Sequence, residues 1–368
     1  MPNIAIFTPN QNPYSETFIQ AHKKYLKNKV FYYYGRRNIQ LEGASPLATP
    51  WERRILNLKR RFLKKPGTFV RDAIILKSLK ENNIDVVLAE YGTHAHHILS
   101  AIKKAGLPMV VHFHGFDASI TEVVQKHNNY KEVFQYAVKV IAVSKKMEQM
   151  LLDLGCPREK LVYNVYGPQP EFLEVRPKFT KKQFIAIGRF TDKKAPYYTI
   201  LAFKNAIKEY PDANLIMAGD GLLLNTCKNL VKHYGLETQV DFPGVITPVK
   251  YQELLSESLG FVQHSITADN GDKEGTPLAV LEASAAGLPV ISTYHAGIPD
   301  VIIDGKTGLL CNEHDVDSMA ANIISLLDNH NFAKELGRAG KTNIKDNFSM
   351  ERHIDMLQNT LEAAIHSV

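Results

Sequence analysis

The chain has 368 residues, 22% of them charged and 45% hydrophobic, the proportions of a folded protein of about two ordinary domains. No apolar run approaches the roughly 20 residues of a membrane span, and the opening MPNIAIFTPN lacks the basic segment and long apolar core of a signal peptide. Net charge is +6, split as +10 over residues 1–175 and −4 over the rest, which predicts that the first half meets an anionic surface.

Short apolar runs alternate with segments of helical periodicity. Ile4 to Phe7, Val30 to Tyr34, Val86 to Ala89, Met109 to Val111 and Val140 to Val143 are expected as strands of a first sheet. A second series starts at Phe184 to Gly188 and continues through Asn214 to Gly219, Val240 to Phe242, Gly260 to Val262 and Pro289 to Ser292. This is the βαβ pattern of two doubly wound α/β domains. Pro, Gly and charge interrupt it at 167–182, so the expected halves are residues 1–170, joined by a C-terminal helix at 350–368, and residues 180–348. Cys156, Cys227 and Cys311 have no metal-ligand spacing and read as reduced thiols in the cytosol.

In the first βα loop, Thr8 to Ile19, no dinucleotide-binding glycine pattern occurs, and Ser15 and Thr17 are placed to cap the next helix. Residues 51–65, WERRILNLKRRFLKK, set Trp51, Ile55, Leu58 and Phe62 at helical spacing among seven Lys and Arg. That is the composition of a helix lying on anionic lipid, or of a basic face over a core stripe. His112-Phe113-His114-Gly115 follows a strand; periodicity puts both histidines on one side and does not rank them. A histidine beside a glycine there enters a cleft or sits satisfied in the core. No third ligand falls at zinc spacing.

Gly188-Arg189-Phe190 closes the first strand of the second half, and Lys193 and Lys194 follow. They offer cations to a diphosphate leaving group, or form a solvated basic turn. Gly219-Asp220-Gly221 reads as close packing, and Asp315 and Asp317 as an acidic first helical turn. Backbone near Gly244-Val245-Ile246 is the expected base pocket.

The most informative stretch is residues 264–299. Thr276 is expected as a helix N-cap with Pro277 at the first helical position, Leu278 to Ala286 as a buried helix, Gly287 as its terminator and Pro289 to Ser292 as a strand. Helix N-termini seat phosphate, so Gly275, Thr276, Pro277 and Leu278 are candidate anion contacts. Glu274 stands just before the start, and Glu282 lies roughly 9 Å into the helix at about 1.5 Å per residue. Carboxylates there suit hydroxyls at the two ends of a diphosphate, which is the shape of a nucleotide-sugar. The plainer alternative is one loop glutamate and one partly buried helical glutamate.

Together these segments resemble the retaining GT-B glycosyltransferases of the family-4 kind. The matching residues are Glu274 and Glu282 with seven residues between them, ASAAGLPVIST, AGIPDVI and DGKTGLL, Gly188-Arg189-Phe190 with Lys194, and HFHG at 112–115. The SETFI opening, Ser15 to Ile19, is similar to bacterial enzymes of exopolysaccharide, capsule or lipopolysaccharide assembly. The resemblance implies two Rossmann-like domains facing across a cleft, net retention and no obligatory metal or other cofactor. It also implies that Arg189 and Lys194 hold the diphosphate, Glu274 the sugar hydroxyls, Glu282 the ribose, and His114 the sugar or acceptor near the reacting carbon. Asn10 to Pro13 replaces the glycine-rich first loop of many members, and Ala195 replaces a usual glycine.

The function expected is transfer of a sugar from a UDP- or GDP-linked donor to a carbohydrate or lipid-linked acceptor, at the cytoplasmic face of an anionic membrane. A sugar-nucleotide epimerase of the same fold and a non-catalytic nucleotide-sugar-binding protein are the alternatives. A glycosidase would need two carboxylates across a glycosidic bond without a diphosphate site. Nucleic acid is not expected as a partner, because the basic charge concentrates in one amphipathic segment.

Overall fold

The computed structural model describes residues 2–13 and 16–367. The chain divides into two compact units. Unit 1 takes in the chain up to Val143, Met147–Asn164 and the C-terminal stretch from Ile354; unit 2 takes in Ser144–Lys146 and Val165–His353.

Unit 1 is a seven-stranded sheet of β1 (Asn3–Thr8), β2 (Lys29–Tyr34), β3 (Gln40–Leu41), β4 (Val86–Glu90), β5 (Met109–His112), β6 (Lys139–Ala142) and β7 (Leu161–Tyr163). Their spatial order is β3-β2-β1-β4-β5-β6-β7, parallel except for the short edge strand β3. Ile4, Ile6, Val86, Leu88, Val110 and Ile141 are buried at 0–1% exposure, as expected of strands covered on both faces. Burying each such side chain contributes roughly 1.5–3 kcal/mol. The helix Thr17–Tyr25 has Glu16 at its N-cap, so Thr17 is its first helical residue rather than its cap; Ser15 lies outside the described residues.

A reciprocal cap starts the helix Pro50–Phe62. Thr49 Oγ1 accepts from the Glu52 N–H at 3.1 Å, and Glu52 Oε2 accepts from the Thr49 N–H at 2.7 Å. No residue of this helix is buried. Trp51, Leu58 and Phe62 are 68%, 65% and 88% exposed, so the apolar stripe does not cover a core in unit 1. The final helix, Met350–Ile365, begins in unit 2 and is counted with unit 1 from Ile354 onward. There it buries Leu357, Leu361 and Ala364 and pairs Asp355 with Lys27 at 3.1 Å.

Unit 2 is a six-stranded, wholly parallel sheet of β8 (Gln183–Ile187), β9 (Asn214–Ala218), β10 (Val240–Gly244), β11 (Gly260–Val262), β12 (Val290–Thr293) and β13 (Gly308–Cys311). The order is β10-β9-β8-β11-β12-β13. Phe184, Phe203, Leu215, Val262, Ile291, Ile323 and Leu326 form its core on the helix-covered face. All six strands point the same way, which gathers the loops after β8, β9, β10, β11 and β12 at one edge. Backbone bonds join the first three: the Gly188 N–H donates to Ala218 O at 3.0 Å and the Gly219 N–H to Gly244 O at 2.8 Å. Gly219 is obligatory in this seam, because a Cβ there would stand 1.9 Å from Gly188 O.

Candidate functional site

At the carboxyl edge of unit 2, the helix Leu278–Ala286 starts one residue differently from expectation. Pro277, with ψ 121°, is the N-cap, and its carbonyl accepts from Val280 at 3.1 Å and Leu281 at 3.4 Å. Thr276 is therefore not the cap but a residue of the loop, 3% exposed, and Pro277 is not the first helical residue. The backbone N–H groups of Leu278 and Ala279 precede the first helical bond and carry the positive end of the dipole. No acidic residue occupies that first turn, and Gly287 closes the helix in the left-handed region at φ 89°.

The loop ahead of this helix is braced by side chains from three neighbours. His295, 1% exposed, accepts the Glu274 N–H on Nε2 at 3.1 Å, which places its own proton on Nδ1, 2.7 Å from Glu313 Oε1. Glu313 also accepts the Thr267 N–H at 2.8 Å. Burial alone would raise its carboxyl, yet His295 and the Thr267 N–H hold it down at about 2. Lys193 ties the loop from the other side, 3.0 Å from Asp272 Oδ1 and 3.2 Å from Lys273 O. The Gly297 N–H donates to Gly275 O at 2.9 Å, and a Cβ at Gly297 would lie 2.2 Å from Thr276 Oγ1.

Two of the expected residues meet directly. Lys194 Nζ lies 3.2 Å from Glu274 Oε1, with side chains 15% and 11% exposed, and 3.4 Å from Gln263 Oε1. Burial would raise Glu274, but Lys194, then Lys193 and His295, overcome it and hold the carboxyl at about 2. Lys194 itself moves down, because burial outweighs the pull of Glu274. The shifts of the two partners thus differ in sense: that of Glu274 reports attraction, and that of Lys194 reports desolvation. Two ammonium groups, Lys194 and Lys193, face the one carboxylate. Glu274 Oε1 has no well-aligned hydrogen-bond donor among the described residues, which leaves it acceptor capacity.

The Arg189 side chain, by contrast, is exposed and makes no ion pair or hydrogen bond among the described residues. It lines a cavity of about 30 Å³ together with Gly188, Lys194 and Gln263. Glu282 is recessed in its helix without a hydrogen-bond or ion-pair partner among the described residues, and burial raises its carboxyl to about 7. Val245 follows β10 and is 57% exposed. Unit 2 therefore carries a free guanidinium, a buried ion pair, an acid-free helix N-terminus and a carboxylate without a partner. This set suits an anion flanked by hydroxyl groups.

In unit 1 the HFHG segment is shaped by Asp117, 0% exposed, whose carboxylate accepts the N–H groups of Gly92 at 2.8 Å, His114 at 3.0 Å and Gly115 at 3.0 Å. Both histidine side chains are buried, His112 at 0% and His114 at 3% exposure. Three groups that the sequence left far apart converge here. His22, Glu90 and His112 bring ligand-type atoms within 4.8 Å of one another, and all are buried. Linear spacing could not show this, because the residues come from three elements.

The profile described as "Glycosyl transferases group 1" matches residues 169–343, and "Glycosyltransferase Family 4" matches residues 30–164. The chain belongs to the group 1 and family 4 glycosyltransferases. Among relatives of this glycosyltransferase, WcaL of Escherichia coli, provisionally named for colanic acid biosynthesis, is 29% identical over 77% of the chain and 72% of the relative. The amylovoran biosynthesis glycosyltransferase AmsK of Erwinia amylovora is 26% identical over 82% and 76%. Anabaena HepE, solved with UDP and glucose, superposes at TM-score 0.78 with 15% identity, covering 99% of this chain and 100% of that one. Sucrose-phosphate synthase of Thermosynechococcus elongatus superposes at 0.75 with 16% identity over all of both chains. These likenesses show that the glycosyltransferase has the GT-B fold.

Reading the sequence missed His295, Glu313, Lys193 and Gln263 as supports of the loop. Lys193, Gln263 and His295 follow the ends of expected strands and so carried a positional signal, whereas Glu313 did not.

Proposed function

We propose that this glycosyltransferase moves a hexose from a UDP- or GDP-linked donor to a carbohydrate or lipid-linked acceptor, with retention, in the biosynthesis of cell-surface polysaccharide. Residues 180–348 form the donor half, and residues 1–170 with 350–368 the acceptor half. The observation that carries the reading is the geometry around the helix Leu278–Ala286: a Lys194–Glu274 pair before its N-terminus and a partnerless Glu282 within it.

The donor diphosphate occupies the helix N-terminus at Gly275, Thr276, Pro277 and Leu278, beside Arg189, Lys194 and Gly188. Glu274 accepts sugar hydroxyls and Glu282 the ribose hydroxyls, while backbone at Val245 borders the base. As the bond from the sugar C1 to the diphosphate breaks, the acceptor hydroxyl oxygen bonds to C1 on the face the diphosphate leaves, and the hydroxyl proton passes to the departing phosphate oxygen. Negative charge collects on the departing phosphate, where fixed cations in a dry site stabilise the transition state. Side-chain cations supply this charge without a metal. His114 contacts the sugar or acceptor near the reacting carbon.

No helix among the described residues is long and apolar enough to cross a membrane. The helix Pro50–Phe62 exposes Trp51, Leu58 and Phe62 beside Arg53, Arg54, Lys59, Arg60 and Arg61, and this supports a peripheral seat on the cytoplasmic face of an anionic membrane. Each such cation contributes on the order of 1 kcal/mol near anionic lipid.

Thermal denaturation with UDP, GDP and ADP and their sugars tests the donor site. A ligand at about 100 times its dissociation constant adds roughly 2.7 kcal/mol of stability. A chain that melts at one temperature with every nucleotide and sugar nucleotide contradicts the reading.

A further inference from the structure

Glu90 ends β4 fully buried, and both of its oxygens are engaged. Oε1 lies 2.7 Å from Nδ1 of His22, on the helix Thr17–Tyr25, and Oε2 lies 2.8 Å from Nε2 of His114, on the loop after β5. The His114 ring is walled by Phe18, Tyr91 and His112, with centroids at 4.6, 4.5 and 4.4 Å. Its backbone is pinned by Asp117 at 3.0 Å. Little freedom remains except rotation of the ring about its own bonds, and Glu90 removes that.

We propose that Glu90 is the positioning residue for His114, with His22 holding the far oxygen of the carboxylate, so that the plane and tautomer of His114 are set before substrate arrives. This rests on the reading that His114 contacts the sugar or acceptor. Burial raises the Glu90 carboxyl and its bond to His114 pulls it back down; as a carboxylate accepting from both rings, Glu90 fixes the His114 proton on Nε2 and its lone pair on Nδ1. Burial favours the neutral rings: it lowers His22 to about 3 and lowers His114 against the opposing pull of Glu90. His114 then acts as a neutral ring with a defined acceptor atom rather than as a cation. Glu90 and His22 act only through it. The proximity of His22, Glu90 and His112 does not itself make a metal centre, because two ring N–H groups already close the carboxylate.

The test uses the full chain with 15N-labelled histidine, the His114 signal being assigned by its loss in His114→Gln. Neutral His114 protonated on Nε2 is expected in the wild type. An Nδ1–H tautomer, or stoichiometric zinc in the purified chain, overturns the proposal. Release of UDP from UDP-glucose and of GDP from GDP-mannose is followed in parallel for Glu90→Gln, His114→Gln and the double variant, each with its melting temperature. Glu90→Gln should lower kcat about 10- to 100-fold with donor KM within about twofold, and the double variant should lose no more than His114→Gln alone. Losses that multiply would show that Glu90 acts independently and would overturn the proposal. Full turnover in His114→Gln would instead sink the role of His114, while the tautomer still reports on positioning. The wild-type tautomer decides alone if a variant fails to fold or neither donor is turned over.

Discussion

Lys194→Met removes one partner of a buried pair and leaves Glu274 facing Lys193 and His295. In the wild type the Glu274 carboxyl is held at about 2 against an ordinary 4.5. At about 1.4 kcal/mol per pH unit this gap corresponds to about 3 kcal/mol. Because the folded value is depressed, that stabilisation is complete above pH 4.5 and is lost as pH falls towards 2. Burial of the Lys194 ammonium offsets part of it, so the net loss expected at pH 7.5 is about 2 kcal/mol, or roughly 4–8 °C in melting temperature for a unit of this size. In the variant, Glu274 takes up a proton more readily, so the deficit should shrink as pH falls from 7 towards 4. Adding Glu274→Gln should restore most of the stability by removing the stranded charge. Scanning calorimetry of the wild type, Lys194→Met and the double variant at pH 7.5, 6 and 4.5 provides the check. A Lys194→Met chain that melts within about 1 °C of wild type at pH 7.5, or a deficit independent of pH, refutes the reasoning.

Arg189 is exposed and unpaired among the described residues, so Arg189→Ala should leave the melting temperature unchanged while cutting turnover by about a hundredfold or more, read by nucleotide release. Chelation with EDTA should leave most turnover intact; complete loss restored by magnesium or manganese would show that side-chain cations do not suffice. Sedimentation with anionic vesicles should pull down the chain, weaken with salt, and fall when Arg53, Arg54, Lys59, Arg60 and Arg61 are neutralised. Salt-insensitive binding, or none, would return the helix Pro50–Phe62 to an ordinary surface role.

Strands with continuous apolar runs were the most legible part of the chain, because burial on both faces leaves no polar alternation to confuse them. β3, β7 and β13 went unread, because Gln40–Leu41, Leu161–Tyr163 and Gly308–Cys311 are too short for periodicity. The helix Leu278–Ala286 was placed to within one residue: its cap is Pro277, not Thr276, and its first helical residue is Leu278, not Pro277. Thr276 is a good capping residue by propensity, but packing of Gly297 against its hydroxyl assigns it to the loop. Glu274 and Glu282 could be picked out because they flank a recognisable helix start, and Lys194 because it follows a strand end beside Arg189. His22 and Glu90, 68 residues apart, meet only through the sheet order that sets β1 beside β4 and β4 beside β5. His295 and Glu313 likewise act across neighbouring loops, and no local pattern announces a brace.

The division of labour between Glu274 and Glu282 is tested most directly by calorimetric titration of the two amide variants with UDP and UDP-glucose, or with the GDP pair if that is the base bound. Glu282→Gln should weaken the nucleotide and the sugar nucleotide by the same factor, since both carry the ribose. Glu274→Gln should leave the bare nucleotide nearly unchanged and weaken the sugar nucleotide by about tenfold, about 1.4 kcal/mol for lost hydrogen bonds to a charged acceptor. Equal losses for both ligands in both variants would contradict a donor lying with its diphosphate at the start of the helix Leu278–Ala286, its sugar at Glu274 and its ribose at Glu282.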